Sequence, residues 1–360
     1  MKKTIQFIYI IISVFIMLIP IINFNWKESV SEKEKRTLAK VPEFNSEIFK
    51  SCDLFVQDRF GGRNELIKLS NFIDYNVLCK RVLNDKAFKG KNDFYYLIDY
   101  GDGWNIMDFY KKNLLEVEEL TEFKEKIKKT VSWCEEQGIK YLFVIGPNKH
   151  SIYPENYLSK RPDGISRIDQ ITEVFDELKI PYVFPREYLI EKKNSYTIPL
   201  YYETDTHWNL LGGYCTSCLI KEKLKELFPK TKFPEIEYDI NVEYTYEAGD
   251  ILPMLGIERA LCTNPILSPK GASFTDYYEL TNPKNRFEYA KNKIYDELPK
   301  AIVFGDSFAL SIKPYLPTMF SETQFNYTHF SEAQKEYILS NKPDIIIFEK
   351  VERVAPWCVE

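Results

Sequence analysis

A serine follows a short apolar strand in residues 299–308, whose sequence is Pro-Lys-Ala-Ile-Val-Phe-Gly-Asp-Ser-Phe. Residues 301–304 predict a buried strand, and Gly305-Asp306-Ser307 predicts a turn at its carboxyl end. Because ligands of a parallel sheet bind outside the carboxyl ends of its strands, Ser307 would lie at the functional edge of such a sheet. Its hydroxyl could act as a nucleophile and its backbone N–H could stabilise an oxyanion. The alternative is an ordinary strand-ending turn without chemistry.

A serine nucleophile needs a base, and histidine is scarce in this chain. The three histidines are His150, His207 and His329. His207 stands two residues after Asp205, directly before an expected helix. In a turn or a strand this spacing lets the carboxylate orient the imidazole, whereas in a helix the two side chains diverge. The alternative is that Asp205 or Thr206 caps the helix and His207 is a satisfied polar residue. Together with Ser307, the Asp-x-His pair indicates a Ser-His-Asp triad.

Further residues near these motifs are predicted to line the site. Asn148 and Lys149 follow an apolar strand, so that Asn148 could donate to an oxyanion and Lys149 could contact substrate. Tyr202 and Trp208 flank the Asp-x-His pair and are also expected to contact substrate. His150 lies at the same predicted edge, where a loop role without chemistry fits equally well.

Rival chemistries find less support in the sequence. The chain has no H-E-x-x-H, no paired C-x-x-C, no calcium loop and no glycine-rich phosphate loop. Asp205 and His207 could ligate one metal ion, but the sequence offers no third ligand. Cys215-x-x-Cys218 lies inside an expected helix, which favours small residues on a helix face over a redox motif. We therefore expect neither a metal nor a cofactor.

The composition is that of an ordinary globular protein. Of 360 residues, 44% are hydrophobic and 28% are charged, with a net charge of -5. These values exclude intrinsic disorder and a disulfide miniprotein. An acidic balance without a basic stripe also argues against nucleic acid as a partner, since such binding depends on neutralising phosphates.

Alternating strands and helices predict an α/β fold with a parallel sheet that is covered on both faces. Strands are predicted at 94–98, 141–145, 182–184, 301–304, 324–327 and 344–348. Helices are predicted at 114–138, 166–178, 209–227 and 331–341. Residues 236–298 interrupt the alternation with several Gly, Pro and Tyr residues, and we interpret them as an insertion of short strands and loops.

The N-terminal region predicts a membrane anchor. Residues 4–24 carry no charge and as a helix would span ~30 Å of hydrocarbon. A cleaved signal peptide and a buried core helix are the alternatives, but no Ala-x-Ala cleavage pattern follows. We expect residues 1–26 to be a signal anchor and 27–88 a linker with a helical extension. Residues 89–360 would form the catalytic domain, on the extracytoplasmic side of the membrane.

The motifs carry a family resemblance. Asp205-Thr206-His207-Trp208, followed later in the chain by Gly305-Asp306-Ser307-Phe308, resembles the SGNH-hydrolase-like O-acetyltransferases of the alginate acetyltransferase (AlgJ/AlgX-like) family. Further matching segments lie at 34–42, 58–63, 146–154, 201–202, 249–250 and 342–353. Ordinary SGNH esterases place the serine block first, so the order found here matches the permuted subfamily.

The resemblance implies a fold and a function. It implies an SGNH-like α/β/α sandwich in which Ser307 is the nucleophile, His207 the base and Asp205 its orienting group. It further implies a membrane-anchored enzyme that acetylates hydroxyls of an extracellular polysaccharide through an acetyl-serine. A membrane-bound O-acyltransferase partner would supply the acetyl group. A polysaccharide acetyl-esterase with the same triad and a noncatalytic polysaccharide-binding assembly protein are the alternatives.

Overall fold

A computed structural model describes residues 86–99, 104–281, 287–328 and 330–359 continuously, and part of the N-terminal region. In that region the described residues are 6, 7, 10, 13, 14, 18, 20–27, 29–31, 36–63, 65, 66, 69, 70, 73 and 78. Half of the predicted anchor, residues 1–26, and His329 therefore lie outside the described residues. Within the part that is described, no helix combines the length and apolarity needed to cross a bilayer.

The strands and helices of the described chain are numbered in chain order. The strands are β1 (Val30–Ser31), β2 (Arg36–Thr37), β3 (Ala87–Lys89), β4 (Tyr95–Leu97), β5 (Lys140–Gly146), β6 (Tyr182–Val183), β7 (Tyr238–Glu247), β8 (Ala260–Pro269), β9 (Tyr278–Thr281), β10 (Phe287–Asn292), β11 (Lys300–Phe304), β12 (Glu322–Asn326) and β13 (Ile345–Val351). The helices are α1 (Ile48–Arg59), α2 (Trp104–Tyr110), α3 (Val117–Glu136), α4 (Lys149–Ile152), α5 (Arg167–Glu177), α6 (Arg186–Lys193), α7 (Leu210–Leu227), α8 (Phe274–Tyr277), α9 (Ala309–Ile312) and α10 (Lys335–Asn341). Short 3-10 helices lie at Pro154–Asn156, Leu252–Leu255, Leu316–Thr318, Glu332–Gln334 and Glu352–Trp357.

Seven strands form one mixed sheet in the order β6-β5-β13-β11-β12-β10-β9. The first five run parallel to their neighbours, whereas β10 is antiparallel to β12 and β9 is antiparallel to β10. The prediction of a parallel sheet was therefore wrong at one edge. Residues 282–286 join β9 to β10, and so short a connection permits only antiparallel pairing, because parallel strands need a long crossover.

The central strands are buried on both faces, as their continuous apolar runs predict. Side chains alternate between two hydrophobic clusters, so that Val303 belongs to one and Ile302 to the other. The first cluster includes Leu211 and Ile220 of α7. The second includes Ile127 of α3 and further side chains of α5. The helices thus cover both faces, which gives an α/β fold of three layers around a mixed sheet.

Most predicted elements correspond to observed ones. The helices predicted at 114–138, 166–178 and 209–227 are α3, α5 and α7, and the strands predicted at 141–145 and 301–304 are β5 and β11. The strand predicted at 94–98 exists as β4, but it pairs with β3 outside the main sheet. Its three residues are all buried, so its apolar pattern does not distinguish a small hairpin from a sheet strand.

Residues 236–298 contribute both a separate hairpin and the antiparallel edge of the main sheet. β7 and β8 pair in register over their full length, from Tyr238 opposite Pro269 to Glu247 opposite Ala260. β9 and β10 then extend the sheet beyond β12. The turn that follows β7 brings Gly249 and Asp250 against the loop that carries Asp205 and His207.

The two cysteines of the C-x-x-C pattern lie inside α7, as expected, and both are free. Burial raises the pKa of Cys215 to about 12 and also raises the pKa of Cys218. Because the thiolate is the reactive form of cysteine, neither residue is suited to redox chemistry at neutral pH.

The first turn of α7 packs tightly against α9, the short helix that follows Ser307. A Cβ atom placed on Gly213 would overlap the backbone carbonyl oxygen of Ser311. The same contact region includes a hydrogen bond from Ser311 Oγ to the carbonyl of Trp208, at 3.0 Å. Glycine at position 213 thus permits the close approach of α7 and α9, the helices that follow His207 and Ser307.

Gly213→Ala should destabilise the fold by about 1–3 kcal/mol, because the added methyl group would meet the backbone of Ser311. That backbone cannot move aside as a flexible side chain can. Denaturant unfolding of the full-length chain measures the effect. Glu222→Ala, at an exposed position of the same helix, is the control and should change stability by no more than about 0.5 kcal/mol. Equal stabilities of the two variants would contradict the packing argument.

Candidate active site

Ser307 lies in the turn between β11 and α9, at the carboxyl edge of the sheet, and is exposed. The carboxylate of Asp306 fastens this turn. It accepts hydrogen bonds from the backbone N–H of Phe308 and from that of Val351, each at 2.8 Å. Since Val351 ends the neighbouring strand β13, the carboxylate ties the serine turn to that strand.

Ser307, His207 and Asp205 lie in one hydrogen-bonded line. His207 Nε2 is 2.7 Å from Ser307 Oγ, and His207 Nδ1 is 2.5 Å from Asp205 Oδ1. Burial raises the pKa of Asp205, but hydrogen bonds from His207 and its charge outweigh that effect and lower the pKa to about 2. The ionised carboxylate can only accept, so Nδ1 carries the proton and Nε2 is left to accept the serine hydroxyl proton.

The loop that carries the pair is a turn rather than the beginning of a helix. Tyr201 and Trp208 form an isolated antiparallel bridge, and the N–H of Tyr202 donates to the carbonyl of His207 at 3.2 Å. The helix α7 is capped by Asn209, whose side chain accepts the N–H groups of Leu211 and Gly212. The alternative that Asp205 or Thr206 caps this helix is therefore wrong.

The side chain of Lys149 fixes the loop that carries Asp205 and His207. Its Nζ donates to the carbonyl oxygens of Tyr202 at 2.9 Å, Glu203 at 3.1 Å and Asp205 at 2.5 Å. Burial lowers the pKa of Lys149 to about 8, while the charges of Asp205 and Asp250 favour its protonated form. An ammonium has only three donors, and all three are used here. The prediction that Lys149 contacts substrate is therefore corrected, and Lys149 positions the Asp-x-His loop.

Asp250 also supports the loop that carries Asp205 and His207, although it was not among the predicted site residues. Its carboxylate accepts from the N–H of Thr206 at 2.7 Å and from the Thr206 hydroxyl at 2.5 Å. Its own N–H donates to Asp205 Oδ2 at 3.0 Å. Gly249 enables this contact, since its φ is 56° and a Cβ would overlap the carbonyl of Thr204. The pair Gly249-Asp250 belongs to the family resemblance, and that was the available signal.

Asp205, His207 and Asp250 form a cluster whose ligand atoms lie within 4.8 Å of one another. The structure thus supplies the third ligand that the sequence lacked. However, each carboxylate oxygen in this cluster accepts a hydrogen bond from a backbone N–H, a hydroxyl or an imidazole. A cation would have to displace these donors, so the arrangement favours orientation of the imidazole over metal binding.

Trp208 ties the two loops of the site together. Its indole Nε1 donates to the carbonyl of Phe308 at 2.8 Å, and its side chain is fully buried. The Phe308 ring lies 5.4 Å from the Trp208 ring and 4.8 Å from the His207 ring, measured between centroids. The prediction that Trp208 contacts substrate is corrected, because the indole packs in the core behind the triad.

The other predicted site residues differ in their placement. Tyr202 is half-buried beside Asp205, and its burial and that charge raise its pKa to about 12. Asn148 is 1% exposed, and its Oδ1 accepts from Arg353 Nη1 at 3.1 Å.

His150 is buried against the Phe109 ring, and burial lowers its pKa well below the usual range. His150 is thus a neutral core residue, as the alternative without chemistry expects.

Glu349 lies beneath the serine turn, in the middle of the site's central strand β13. Its Oε2 accepts the backbone N–H of Asp306 at 3.1 Å, and its side chain is fully buried. Burial and the nearby charge of Asp306 raise the pKa of Glu349 well above its ordinary range, while Lys350 opposes the shift. Sequence reasoning missed it, because a single Glu after Ile345-Ile-Ile-Phe348 resembles the polar end of an apolar strand.

Glu349→Gln should make stability less dependent on pH. The folded protein holds the Glu349 proton more tightly than the unfolded chain, so the wild type loses stability as pH rises above about 4.5, by at most about 1.4 kcal/mol per pH unit. Glutamine retains the acceptor and removes the titration. The difference in unfolding free energy between Glu349→Gln and the wild type should therefore shift in favour of the variant as pH rises from about 5 to 8.

Denaturant unfolding across this pH range provides the measurement. Glu279→Gln, at an exposed position of the edge strand β9, controls for the substitution itself. If the wild type and Glu349→Gln showed parallel pH dependences, the neutral form of Glu349 beneath the serine turn would be contradicted.

Comparisons with known proteins identify a family and a fold. Residues 102–329 match the family model described as SGNH hydrolase-like domain, acetyltransferase AlgX. Bacillus cereus PatB1 with a sulfonyl adduct is similar in structure, with 15% identity and a TM-score of 0.51, covering 67% of this chain and 89% of that one. The O-acetyltransferase domain of Pseudomonas putida AlgJ is also similar, with 13% identity and a TM-score of 0.50, covering 77% and 94%. At such identities the two structures show the fold alone. Curated proteins give no significant match.

The family model spans well over half of the 360 residues and includes both motifs, at 205–208 and at 305–308. The resemblance of those motifs to this family is thereby confirmed. The chain belongs to the family of SGNH hydrolase-like acetyltransferase AlgX domains.

Proposed function

We propose that this protein is a membrane-anchored O-acetyltransferase that acetylates hydroxyls of an extracellular polysaccharide through an acetyl-serine intermediate. The observation that carries the proposal is the line from Asp205 through His207 to Ser307, with distances of 2.5 and 2.7 Å. Membership of an acetyltransferase family supports acetyl transfer as the reaction. Residues 1–26 would be the anchor, and the catalytic domain would face outward.

In the first half-reaction, His207 Nε2 takes the proton of Ser307, and Oγ attacks the carbonyl carbon of the acetyl donor. The carbonyl electrons move to oxygen, and the resulting oxyanion faces the Ser307 N–H, which has no acceptor among the described residues. One such donor contributes roughly 3 kcal/mol. Collapse of the tetrahedral intermediate breaks the bond to the donor's leaving group, which receives the proton from His207.

In the second half-reaction, His207 takes a proton from a sugar hydroxyl, whose oxygen attacks the acetyl-serine carbonyl. The second tetrahedral intermediate releases Ser307 Oγ, which is reprotonated by His207. Asp205 stays ionised throughout and stabilises the imidazolium that forms in each step. The acetyl group thus moves from donor to sugar, and the enzyme returns to its initial protonation state.

The acetyl donor is part of the proposal. Acetyl-CoA is a cytoplasmic compound, and a site outside the membrane needs another supply. A membrane-bound O-acyltransferase that passes acetyl groups across the bilayer would meet this need. The protein's own anchor would hold Ser307 near that partner.

A polysaccharide acetyl-esterase is the second function that the site supports. The same triad would serve both reactions, and only the attacking group would differ, water in place of a sugar hydroxyl. The exposure of Ser307 favours this alternative, because water reaches the nucleophile. A noncatalytic binding protein is less compatible with the site, because it would not need the hydrogen bond between His207 and Ser307.

The purified full-length chain should hydrolyse a chromogenic acetyl ester, and Ser307→Ala should abolish this turnover. When an acetyl-free oligosaccharide is added, mass spectrometry should detect an acetylated oligosaccharide. Ser340→Ala, at an exposed position of α10, is a control that removes a different hydroxyl. Ester turnover without any acetylated sugar would favour the esterase, and equal turnover by Ser307→Ala would contradict both enzyme functions.

Asp250→Ala should lower kcat for the acetyl ester roughly 10- to 100-fold, because the loop carrying His207 loses the acceptor for both Thr206 donors. Steady-state kinetics measure the loss, and circular dichroism verifies the fold. Asp239→Ala, at an exposed position of the same hairpin, should retain wild-type kinetics. A folded Asp250→Ala protein with unchanged kcat would show that the hairpin does not position the triad.

A further inference from the structure

Arg353 lies at the edge of the sheet where Ser307 lies. It is the second residue after β13, and β13 runs between β5, which leads to Asn148, and β11, which leads to Ser307. In a parallel sheet the residues that follow these three strands meet at one edge. The side chain of Arg353 is half-buried there.

Three contacts hold Arg353 in place. Its guanidinium carbon lies 5.4 Å from the centroid of the Phe308 ring, whose other neighbours are His207 and Trp208. Its Nη1 donates to Asn148 Oδ1 at 3.1 Å. Its backbone carbonyl accepts from Arg167 Nη2 at 2.7 Å. The guanidinium is therefore packed on the ring of the residue that directly follows the nucleophile.

Asn148 is itself fixed in the position that receives the guanidinium. Its backbone N–H donates to Glu352 Oε2 at 2.8 Å, and its side-chain nitrogen faces Asp108 Oδ2 at 3.5 Å. The Asn148 oxygen is thus the acceptor presented to Arg353. The side chain we predicted to donate to an oxyanion instead supports an arginine.

The charge of Arg353 is not matched by a carboxylate. At the same edge, Arg167 pairs with Asp108 at 3.0 Å, and Arg161 lies 3.9 Å from Glu352. Arg353 has no ion pair within the described part of the chain, and its Nε and Nη2 donate to no group there. A half-buried guanidinium with unused donors and no counter-charge can receive an anion that enters the site.

We propose that Arg353 donates to the oxyanion of the tetrahedral intermediates formed on Ser307, together with the Ser307 N–H. This inference rests on the proposed acetyl transfer. As Oγ bonds to the carbonyl carbon, the carbonyl electron pair becomes a full charge on oxygen, and the guanidinium donates a charge-assisted hydrogen bond to it. When the intermediate collapses, the pair returns to the carbonyl and the arginine remains protonated. Asn148 is a positioning residue that sets the orientation of the guanidinium.

The test uses the full-length chain and a small uncharged chromogenic acetyl ester. Arg353→Met should lower kcat roughly 10²- to 10³-fold with little change in KM, because the interaction forms only in the transition state. Guanidinium chloride at millimolar concentration should restore part of this activity, which a merely structural role would not produce. Asn148→Ala should lower kcat less than Arg353→Met.

Arg186→Met is the matched control, since Arg186 also packs its guanidinium on a phenylalanine ring, that of Phe184 at 5.0 Å, away from the triad. It should keep wild-type kcat and show no response to guanidinium. If Arg353→Met does not fold, Arg353→Lys keeps the charge and packing and should still lower kcat at least about 10-fold, because lysine lacks the guanidinium fork.

Two results would overturn the proposal. Unchanged kcat of the Arg353 variants on the uncharged ester would exclude a role at the oxyanion. If the Arg353 variants lost activity only in acetyl transfer onto an anionic oligosaccharide, Arg353 would bind the charge of the acceptor instead. Failure of the proposed function is a separate outcome, because the wild type and Ser307→Ala would then turn over the ester equally.

Discussion

The site depends on one buried cation. Lys149 is 5% exposed, and transferring a charge from water to such a position costs several kcal/mol unless the surroundings compensate. Compensation comes from three backbone carbonyls of the loop 202–205 and from the charges of two aspartates. The pKa of Lys149 falls only to about 8, so the ammonium is retained at neutral pH. The loop must keep its turn conformation to satisfy this charge, and the same conformation directs the Asp205 carboxylate at His207.

The remaining geometry joins segments that are far apart in sequence. The hydrogen bonds from the Ser307 hydroxyl to His207 Nε2 and from the Trp208 indole to the Phe308 carbonyl both span 100 residues. Asp250 adds a third segment, delivered by the hairpin β7–β8. Each contact lies at the carboxyl edge of the sheet, where β5, β13 and β11 end side by side. The packed sheet thus places Ser307, while hydrogen bonds between loops align His207 with it.

Local patterns predicted much of this molecule. Periodic apolar residues located α3, α5 and α7, and short apolar runs located the central strands. The association of Asp205, His207 and Ser307 was predictable because only one of three histidines stands beside an aspartate, and the structure brings both to Ser307. Patterns of this kind do not reveal partners that are distant in the chain. The strand end that precedes Lys149 suggested a contact with substrate and not with the Asp-x-His loop, and Glu349 looks like the end of a strand. The antiparallel edge was missed because a parallel and an antiparallel edge strand have the same apolar alternation.

The central claim is that Ser307 carries the acetyl group between donor and acceptor. Rapid acid quench of the full-length chain during turnover of an acetyl ester, followed by mass spectrometry of its peptides, tests this claim most directly. The account predicts one added acetyl group on the peptide that contains Ser307, its absence in Ser307→Ala and its loss when an acceptor sugar is supplied. Turnover with no acetylated peptide, or with the acetyl group on another residue, would contradict it.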